Sequence, residues 1–217
     1  MSTLELDLKQ QKKQSGHDPL IGRQLLHYRV VEEIGQGGMS IVYRGKDEIL
    51  GRPVAIKVLH PFLAQKEDCR KRLAREARLV ASLQHPNILE IYDYSGESQN
   101  DADAPTNSSS EVFLVSEFVE GVTLREFAER YPLAEVPELG GMIIWQLALA
   151  LSHAHRQGII HRDLAARNVL LFHYDPTNPA ATSVKVTDFG LSVGMYGRTH
   201  STVQGNQLPD RYLSPEA

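Results

Sequence analysis

The residues best suited to chemistry lie in two short segments in the second half of the chain. The segment His161-Arg-Asp-Leu-Ala-Ala-Arg-Asn168 carries the carboxylate of Asp163 and the amide of Asn168 on one predicted loop. The segment Asp188-Phe-Gly190 adds a second carboxylate twenty residues after Asn168. Mg²⁺ binds a few hard oxygen ligands and retains several of its waters. These residue types at this spacing therefore predict a site for a polyphosphate and Mg²⁺.

A glycine-rich turn, Gly35-Gln-Gly-Gly38, lies between two predicted strands near the N-terminus. Glycines lack a Cβ, so backbone N–H groups there can approach phosphate oxygens closely. An ordinary hairpin turn and a dinucleotide-binding turn are the alternatives. The dinucleotide turn requires a following helix and an acidic residue about 20 positions on. Here a strand follows, and Lys57 stands 22 residues after Gly35, which favours a hairpin that covers phosphates.

Lys57 lies in the middle of a predicted strand, in Val-Ala-Ile-Lys57, between apolar neighbours, where a buried ammonium group would be costly unless it were paired. Glu76, on a helix predicted from about Asp68 to Leu83, is a candidate partner. The alternatives are a solvent-facing lysine and a glutamate that pairs with Arg72 or Arg75 on the helix surface.

Composition narrows the classes of partner and compartment. The chain has 217 residues, with 23 basic and 27 acidic side chains and a net charge of −4, which argues against nucleic-acid binding. A single cysteine excludes an internal disulfide and suits a reducing cytoplasm. The longest apolar stretch, Met142–Leu151, is too short to span a bilayer. We therefore expect a cytoplasmic protein with no membrane segment in this chain.

The predicted elements divide the chain into a β-rich part and a helical part. Thr123-Leu-Arg-Glu126 predicts a capping box that opens a short helix. An apolar helix is predicted over Leu139–Arg156, ended by Gly158. Five β-rich runs and the helix over 68–83 precede them, which indicates an α+β, two-lobed layout. The runs are Tyr28–Ile34, Met39–Arg44, Arg52–Leu59, Ile88–Tyr94 and Val112–Phe118.

Taken together, these motifs resemble a eukaryotic-type protein kinase domain over about residues 28–217. The matching motifs are Gly35-x-Gly-x-x-Ser-x-Val42, Val-Ala-Ile-Lys57, Glu76, His-Arg-Asp163 with Asn168, Asp-Phe-Gly190 and Ser-Pro-Glu216.

The resemblance implies a two-lobed α+β fold. Its N-lobe has a five-stranded antiparallel sheet and one helix, and its mainly helical C-lobe is incomplete. The family's domain continues with further helices after the position of Glu216. The expected division is a flexible N-terminal tail over 1–26, an N-lobe over 27–119 with a hinge at 117–119, and a partial C-lobe over 120–217.

The resemblance also implies roles for the catalytic residues. Asp163 would accept or orient the proton of the substrate hydroxyl, with Arg167 as a nearby cation. Lys57 would contact the α- and β-phosphates of ATP and pair with Glu76. The ligands of Mg²⁺ would be Asn168 and Asp188. Catalysis would then consist mainly of positioning and charge neutralisation.

A larger set of residues is implied to contact ATP. The hinge would present its backbone to the adenine edge, and Ser116 would control access behind the ring. We expect the side chain of His161 to pack beneath the site. The implied ATP contacts are Ile34, Gly35, Gly37, Gly38, Val42, Ala55, Lys57, Glu117, Val119 and Leu170.

Two parts of the sequence give conflicting indications of the acceptor hydroxyl. Ala165, Arg167 and the segment Leu208–Glu216 resemble tyrosine kinases, whereas the glycine-rich segment and His85-Pro-Asn-Ile88 resemble bacterial serine/threonine kinases. Because acceptor choice is set near the catalytic loop, we predict protein substrates with tyrosine favoured over serine or threonine.

The chain itself is one candidate substrate. Tyr196 occupies a position suited to autophosphorylation, and Arg162 could pair with the resulting phosphate. One alternative is a truncated, nucleotide-binding but inactive module. Another is a small-molecule phosphotransferase, against which His-Arg-Asp163 and Ser-Pro-Glu216 both argue.

Overall fold

The computed structural model describes residues 18–96, 111–131, 136–174, 178 and 181–189, without the side chains of 68–69, 72–73 and 75–76. The described part contains two antiparallel sheets and four helices, in which a six-stranded sheet precedes most of the helical structure. The elements are β1 (Gln24–Leu25), β2 (Tyr28–Gln36), β3 (Ser40–Asp47), β4 (Pro53–Leu59), α1 (Pro61–Ala64), α2 (Glu67–Ala81), β5 (Ile91–Ser95), β6 (Phe113–Glu117), β7 (Val122–Thr123), α3 (Leu124–Arg130), α4 (Pro137–Arg156), a 3₁₀ turn (Ala166–Asn168), β8 (Val169–Phe172) and β9 (Ser183–Val186).

The large sheet has the strand order β1-β2-β3-β4-β6-β5, and each neighbouring pair is antiparallel. Alternation along β4 separates its two faces, because successive side chains of a strand point to opposite sides. Val54 and Ile56 are fully buried in the core on one face. Ala55 and Lys57 are half-buried on the other face. The sheet therefore has a second face that can contribute to a site.

The N-terminal boundary differs from the prediction of a flexible tail over residues 1–26. Leu25, in β1, is fully buried, and Leu20 and Ile21 pack against the same core. The Tyr43 hydroxyl also donates to Asp18 Oδ2 at 2.7 Å. A two-residue strand is too short to show periodicity, so the sheet has six strands where the sequence indicated five.

Helix α2 lies close to its predicted bounds and turns Ala77 and Val80 into the interior. The strand predicted from Ile88 begins instead at Ile91. Ile88 forms a parallel bridge with Val186, and the Leu89 amide donates to the Val186 carbonyl at 2.9 Å. This long-range pairing removes the start of the predicted strand from the large sheet.

The second lobe joins α3 and α4 to the three-stranded sheet β7-β8-β9. The predicted capping box is confirmed, because Thr123 Oγ1 accepts from the Glu126 amide and the Glu126 carboxylate accepts from the Thr123 amide. Gly158 follows α4 with φ of +73°, the conformation in which glycine ends a helix at little cost. The α+β, two-lobed prediction is therefore confirmed.

A buried polar cluster joins the two lobes. Asn87 Nδ2 donates to Gln146 Oε1 on α4 and to the Val184 carbonyl on β9, both at 2.8 Å. Gln146 also accepts from the Val184 amide and donates to the Thr182 carbonyl. Such satisfied buried networks hold their elements in one arrangement.

None of the described helices has the length and apolarity needed to cross a bilayer.

Candidate active site

A cation and a carboxylate from the two lobes are in direct contact. Lys57 Nζ, on β4, donates to Asp188 Oδ1 at 2.6 Å, although the two residues are 131 positions apart. Lys57 reaches this point because alternation along β4 turns it away from the core. Asp188 has φ of 59°, in the left-handed region that most residues avoid. The fold thus holds Asp188 in an uncommon conformation where it meets Lys57.

The catalytic loop, defined as residues 161–168, surrounds Asp163 with hydrogen bonds. Arg167 Nη2 donates to both carboxylate oxygens of Asp163, at 2.7 and 2.9 Å. Asn168 Nδ2 donates to the Asp163 carbonyl at 2.8 Å. The 3₁₀ turn at Ala166–Asn168 brings Arg167 and Asn168 back towards Asp163. The predicted base and its neighbouring cation are therefore in direct contact.

His161 anchors this loop from below. It is 2% exposed, and its Nδ1 accepts from the Asp163 amide at 3.3 Å. Its Nε2 therefore carries the hydrogen and donates to the Thr187 carbonyl at 2.8 Å. Burial lowers the pKa of His161, against smaller opposing effects of the Thr187 carbonyl and nearby carboxylates. The neutral ring thus links the catalytic loop to the segment that ends in Asp188.

The predicted magnesium ligands lie on adjacent segments. The Thr187 amide donates to the Asn168 carbonyl at 2.9 Å, which ties the residue before Asp188 to Asn168. The side-chain nitrogen of Asn168 is bonded to the Asp163 carbonyl. The described residues hold no cluster of three or more His, Cys, Asp or Glu side chains. Asn168 and Asp188, the predicted ligands of Mg²⁺, are thus connected through one backbone hydrogen bond between their segments.

Four of the predicted ATP contacts lie together on one side of the large sheet. Val42 on β3 pairs directly with Lys57 on β4, so their side chains lie on the same face. Ala55 is also half-buried on this face and pairs with Ser116 on β6. Gly35 pairs with Val42 beside the turn. The structure therefore groups Gly35, Val42, Ala55 and Lys57.

The glycine-rich turn, predicted over Gly35–Gly38, is displaced in the structure because Gly35 and Gln36 belong to β2, and residues 37–39 connect β2 to β3. The glycine-rich turn is defined from here on as residues 37–39. Its Gly37 amide donates to the Ser40 carbonyl at 2.9 Å. A Cβ added at Gly38 would meet nothing within 4 Å, and one at Gly37 only the Ser40 carbonyl at 3.8 Å. Neither residue has a positive φ. The fold itself therefore does not require glycine there, whereas close approach of a ligand would.

The hinge side chain Glu117 is held by a lysine that the sequence analysis did not single out. Lys185 Nζ, on β9, lies 2.6 Å from Glu117 Oε1, and both side chains are less than one-fifth exposed. The same carboxylate accepts from the Glu90 amide at 2.8 Å. The Ser116 hydroxyl donates to the Glu117 carbonyl at 3.3 Å. The Glu117 carboxylate is therefore held by Lys185 and by the Glu90 amide.

For the remaining predicted residues, the structure gives the exposure of some, while others lie outside the described residues. Ile34 on β2 is exposed, and Val119 and Leu170 are half-buried. The Glu76 side chain lies outside the described residues, so the carboxylate seen on Lys57 is that of Asp188. Arg162 is exposed with φ of 64°. Tyr196, its predicted phosphate-bearing partner, also lies outside the described residues.

Sequence reasoning missed the residues that act through long-range contacts. Lys185 lies on an alternating strand, where a solvent-facing side chain is the ordinary expectation. His60 contacts the glycine-rich turn 23 residues earlier in the chain. Nothing in the local sequence indicates either partner. Only the position of His60 three residues after Lys57 could have directed attention to it.

Comparison with known proteins agrees with this geometry. A family model described as "Protein kinase domain" matches residues 28–217. The serine/threonine-protein kinase PrkC of Bacillus subtilis is 36% identical over 199 residues, which cover 91% of this chain. The serine/threonine-protein kinase PknB of Mycobacterium tuberculosis is 35% identical over 192 residues, or 87% of this chain. The chain spans 28% of the length of each relative.

Solved structures show the same similarity. The crystal structure of the Mycobacterium tuberculosis PknI kinase domain superposes with a TM-score of 0.58 and 29% identity. The match covers 78% of this chain and 62% of that chain. With these matches and the grouping of its motifs, the chain belongs to the protein kinase family.

Proposed function

We propose that this chain is the catalytic part of an active kinase that transfers the γ-phosphate of Mg-ATP to hydroxyl groups of proteins. The observation that carries the proposal is the contact between Lys57 and Asp188, which joins a cation from one lobe to a carboxylate from the other. A bound Mg-nucleotide needs both charges, a cation for its phosphates and an anion for its metal. The proposed cofactors are therefore ATP and Mg²⁺.

Each group has a proposed part in the transfer. Lys57 contacts the α- and β-phosphates, while Asn168 and Asp188 supply oxygens to Mg²⁺. The carboxylate of Asp163 orients the acceptor hydroxyl and accepts its proton. The protein would lower the barrier mainly by alignment and charge stabilisation, because the loose phosphoryl transition state needs little covalent help. Glu76 remains a proposed partner of Lys57.

The adenine site is proposed on the same grounds. The sheet face that carries Val42 and Ala55 covers one side of the ring, and Leu170 on β8 covers the other. The backbone of the hinge at 117–119 holds the adenine edge, beside the small side chain of Ser116. The exposed Ile34 and the glycines at 35, 37 and 38 lie over the sugar and phosphates.

For the acceptor we propose serine or threonine. The relatives PrkC and PknB are named serine/threonine kinases, so the similarity does not support the predicted preference for tyrosine. Tyrosine stays a second candidate because Arg167 contacts both oxygens of Asp163. By resemblance, serine/threonine kinases have a lysine at the position of Ala165. Tyrosine kinases typically supply the cation from the position of Arg167 instead.

Mass spectrometry of the chain after incubation with Mg-ATP tests the proposal. We expect the unsubstituted chain, or a generic protein substrate beside it, to gain phosphoryl groups, and Asp188→Asn to gain none. Peptide mapping then assigns the acceptor, with serine or threonine expected and tyrosine at Tyr196 the contrary result. Binding of Mg-ATP without transfer would support the inactive alternative, and transfer to small alcohols alone would support the small-molecule one.

The partners and compartment are proposed more generally. We propose protein substrates, this chain among them, with Arg162 as the residue that would meet a phosphate on the segment containing Tyr196. The single cysteine and the net charge of −4 suit a cytoplasmic enzyme that does not bind nucleic acid.

A further inference from the structure

His60 lies where three parts of the N-lobe meet. It directly follows β4, and its carbonyl oxygen accepts from the amides of Leu63 and Ala64 as α1 begins. The glycine-rich turn lies on its other side. His60 is only 5% exposed, whereas Gly37 and Gly38 are exposed. A buried side chain therefore lies beside a turn that is itself open to solvent.

His60 holds the turn through two hydrogen bonds. Its main-chain N–H donates to the Met39 carbonyl at 3.0 Å. Its ring Nε2 lies 3.1 Å from the Gly37 carbonyl oxygen. A carbonyl oxygen only accepts, so Nε2 carries the hydrogen in this contact. The ring also stacks against Phe62 of α1 with centroids 6.0 Å apart. The ring is thus fixed on the α1 side and bonded on the turn side.

We propose that His60 is a positioning residue that holds the glycine-rich turn in place over the nucleotide phosphates. Glycines lose more backbone freedom on ordering than other residues, so a turn rich in them is costly to fix at the moment of binding. A turn that is already ordered binds its ligand more tightly because less freedom is lost. The proposal rests on the proposed kinase function for the identity of the ligand.

The alternative is a buried histidine that only fills space at the end of β4. Three substitutions separate the two roles. Glutamine places its side-chain Nε2 as many bonds from Cα as the ring Nε2, so His60→Gln can still donate to the Gly37 carbonyl. His60→Asn carries the same amide one bond shorter, and His60→Ala carries no donor. Glutamine and asparagine thus match in polarity and differ in reach.

The measurements are hydrogen exchange of the peptide that contains residues 34–42 and calorimetric binding of Mg-ATP. We expect His60→Asn and His60→Ala to exchange faster there and to bind Mg-ATP about fivefold more weakly, the usual effect of one lost hydrogen bond. His60→Gln should stay near the unsubstituted chain in both. In turnover assays, the KM for ATP should rise for the first two variants while kcat is retained.

Equal exchange and equal Mg-ATP affinity in all folded variants, with lower thermal stability alone, would overturn the proposal. The same holds if His60→Gln behaves like His60→Asn. If the unsubstituted chain binds no Mg-ATP, the proposed kinase function fails by itself. In that case faster exchange in His60→Asn than in His60→Gln would still establish His60 as the restraint on the turn, and equal exchange would refute it.

Discussion

The glycine-rich turn and the catalytic loop are assigned to the same nucleotide, yet the fold restrains them in opposite ways. The turn is open to solvent, and its restraints are one internal hydrogen bond and the two from His60. The catalytic loop is anchored through the buried side chains of His161 and Asn168. The His161 side chain bonds to the Thr187 carbonyl and to the Asp163 amide, and the Asn168 side chain bonds to the Asp163 carbonyl.

This difference suits the part that each segment has in the proposed function. The turn over the phosphates is held by a few hydrogen bonds that can break when a nucleotide enters or leaves. A catalytic base must keep its position, because small misplacements of reacting groups cost large factors in rate. The comparison predicts that substitutions in the catalytic loop and its neighbours affect rate and stability, while those in the turn affect mainly nucleotide affinity.

The largest expected effect is on phosphoryl transfer at the lobe contact. Asp188→Asn removes the charge that faces Lys57 and that would bind Mg²⁺ in the proposed function, and the initial rate with labelled ATP should fall by about 100-fold or more. Lys57→Met should give a similar loss. The control is Glu48→Gln, which disrupts the surface pair with Arg29 and should leave the rate unchanged. An active Asp188→Asn enzyme would contradict the assigned magnesium ligand.

The next effect compares the stabilities of the two segments. His161→Ala removes a buried ring and two hydrogen bonds, so the free energy of unfolding should fall by about 3 kcal/mol. For His60→Ala we expect a smaller loss of about 2 kcal/mol, because its ring is also buried but makes only one side-chain hydrogen bond. Urea unfolding of both variants measures the difference. Equal losses would remove the contrast drawn between the two segments.

A smaller loss of stability is expected when the pH is lowered. Burial lowers the pKa of His161 below its ordinary value of 6.5, so the unfolded chain binds this proton more readily than the folded chain. Stability is therefore retained above pH 6.5 and lost progressively as pH falls below that value. The pKa of His85 is lowered in the same direction by burial and by His153.

The pH dependence can be assigned by urea unfolding at several pH values. The loss of stability below pH 6.5 should be smaller in His161→Gln than in the unsubstituted chain, since one of the two contributing imidazoles is gone. An unchanged slope would assign the effect to other groups and would argue against a neutral His161 as the anchor.

The smallest expected effect is on the turn itself. Gly38→Ala meets no neighbour within 4 Å, so the free energy of unfolding should change by less than about 0.5 kcal/mol. Mg-ATP affinity should nevertheless fall several-fold, because the added methyl group would occupy the space that the proposed function gives to the phosphates. The control is Gly51→Ala, which has φ of +71°. It should lower stability by about 1 kcal/mol without changing affinity.

Local patterns in the sequence predicted most of the fold and the identity of the candidate reacting groups. Alternation along β4, the apolar face of α2 and the Thr123 capping box are all short-range, and each element appears near its predicted bounds. The motifs also indicated Lys57, Asp163, Asn168 and Asp188, because their types are set by chemistry and not by distant packing.

The errors and omissions concern contacts between residues far apart in sequence. Ile88 looks like part of a strand but pairs with Val186, and the short β1 exists only because the sheet offers it an edge. Lys57 meets Asp188, whose approach depends on how the lobes close. The functions of His60 and Lys185 depend on partners 23 and 68 residues away, so no window of sequence contains them.

The buried cluster around Asn87 has a consequence for the order in which the chain can fold during synthesis. Its contact with the Val184 carbonyl joins residues separated by 97 positions. The hairpins β2-β3 and β3-β4 are local and need no later part of the chain. The cluster that joins Asn87 to α4 and β9, in contrast, cannot assemble until β9 has left the ribosome. A nascent chain therefore acquires the sheet first and this contact between the two lobes only afterwards.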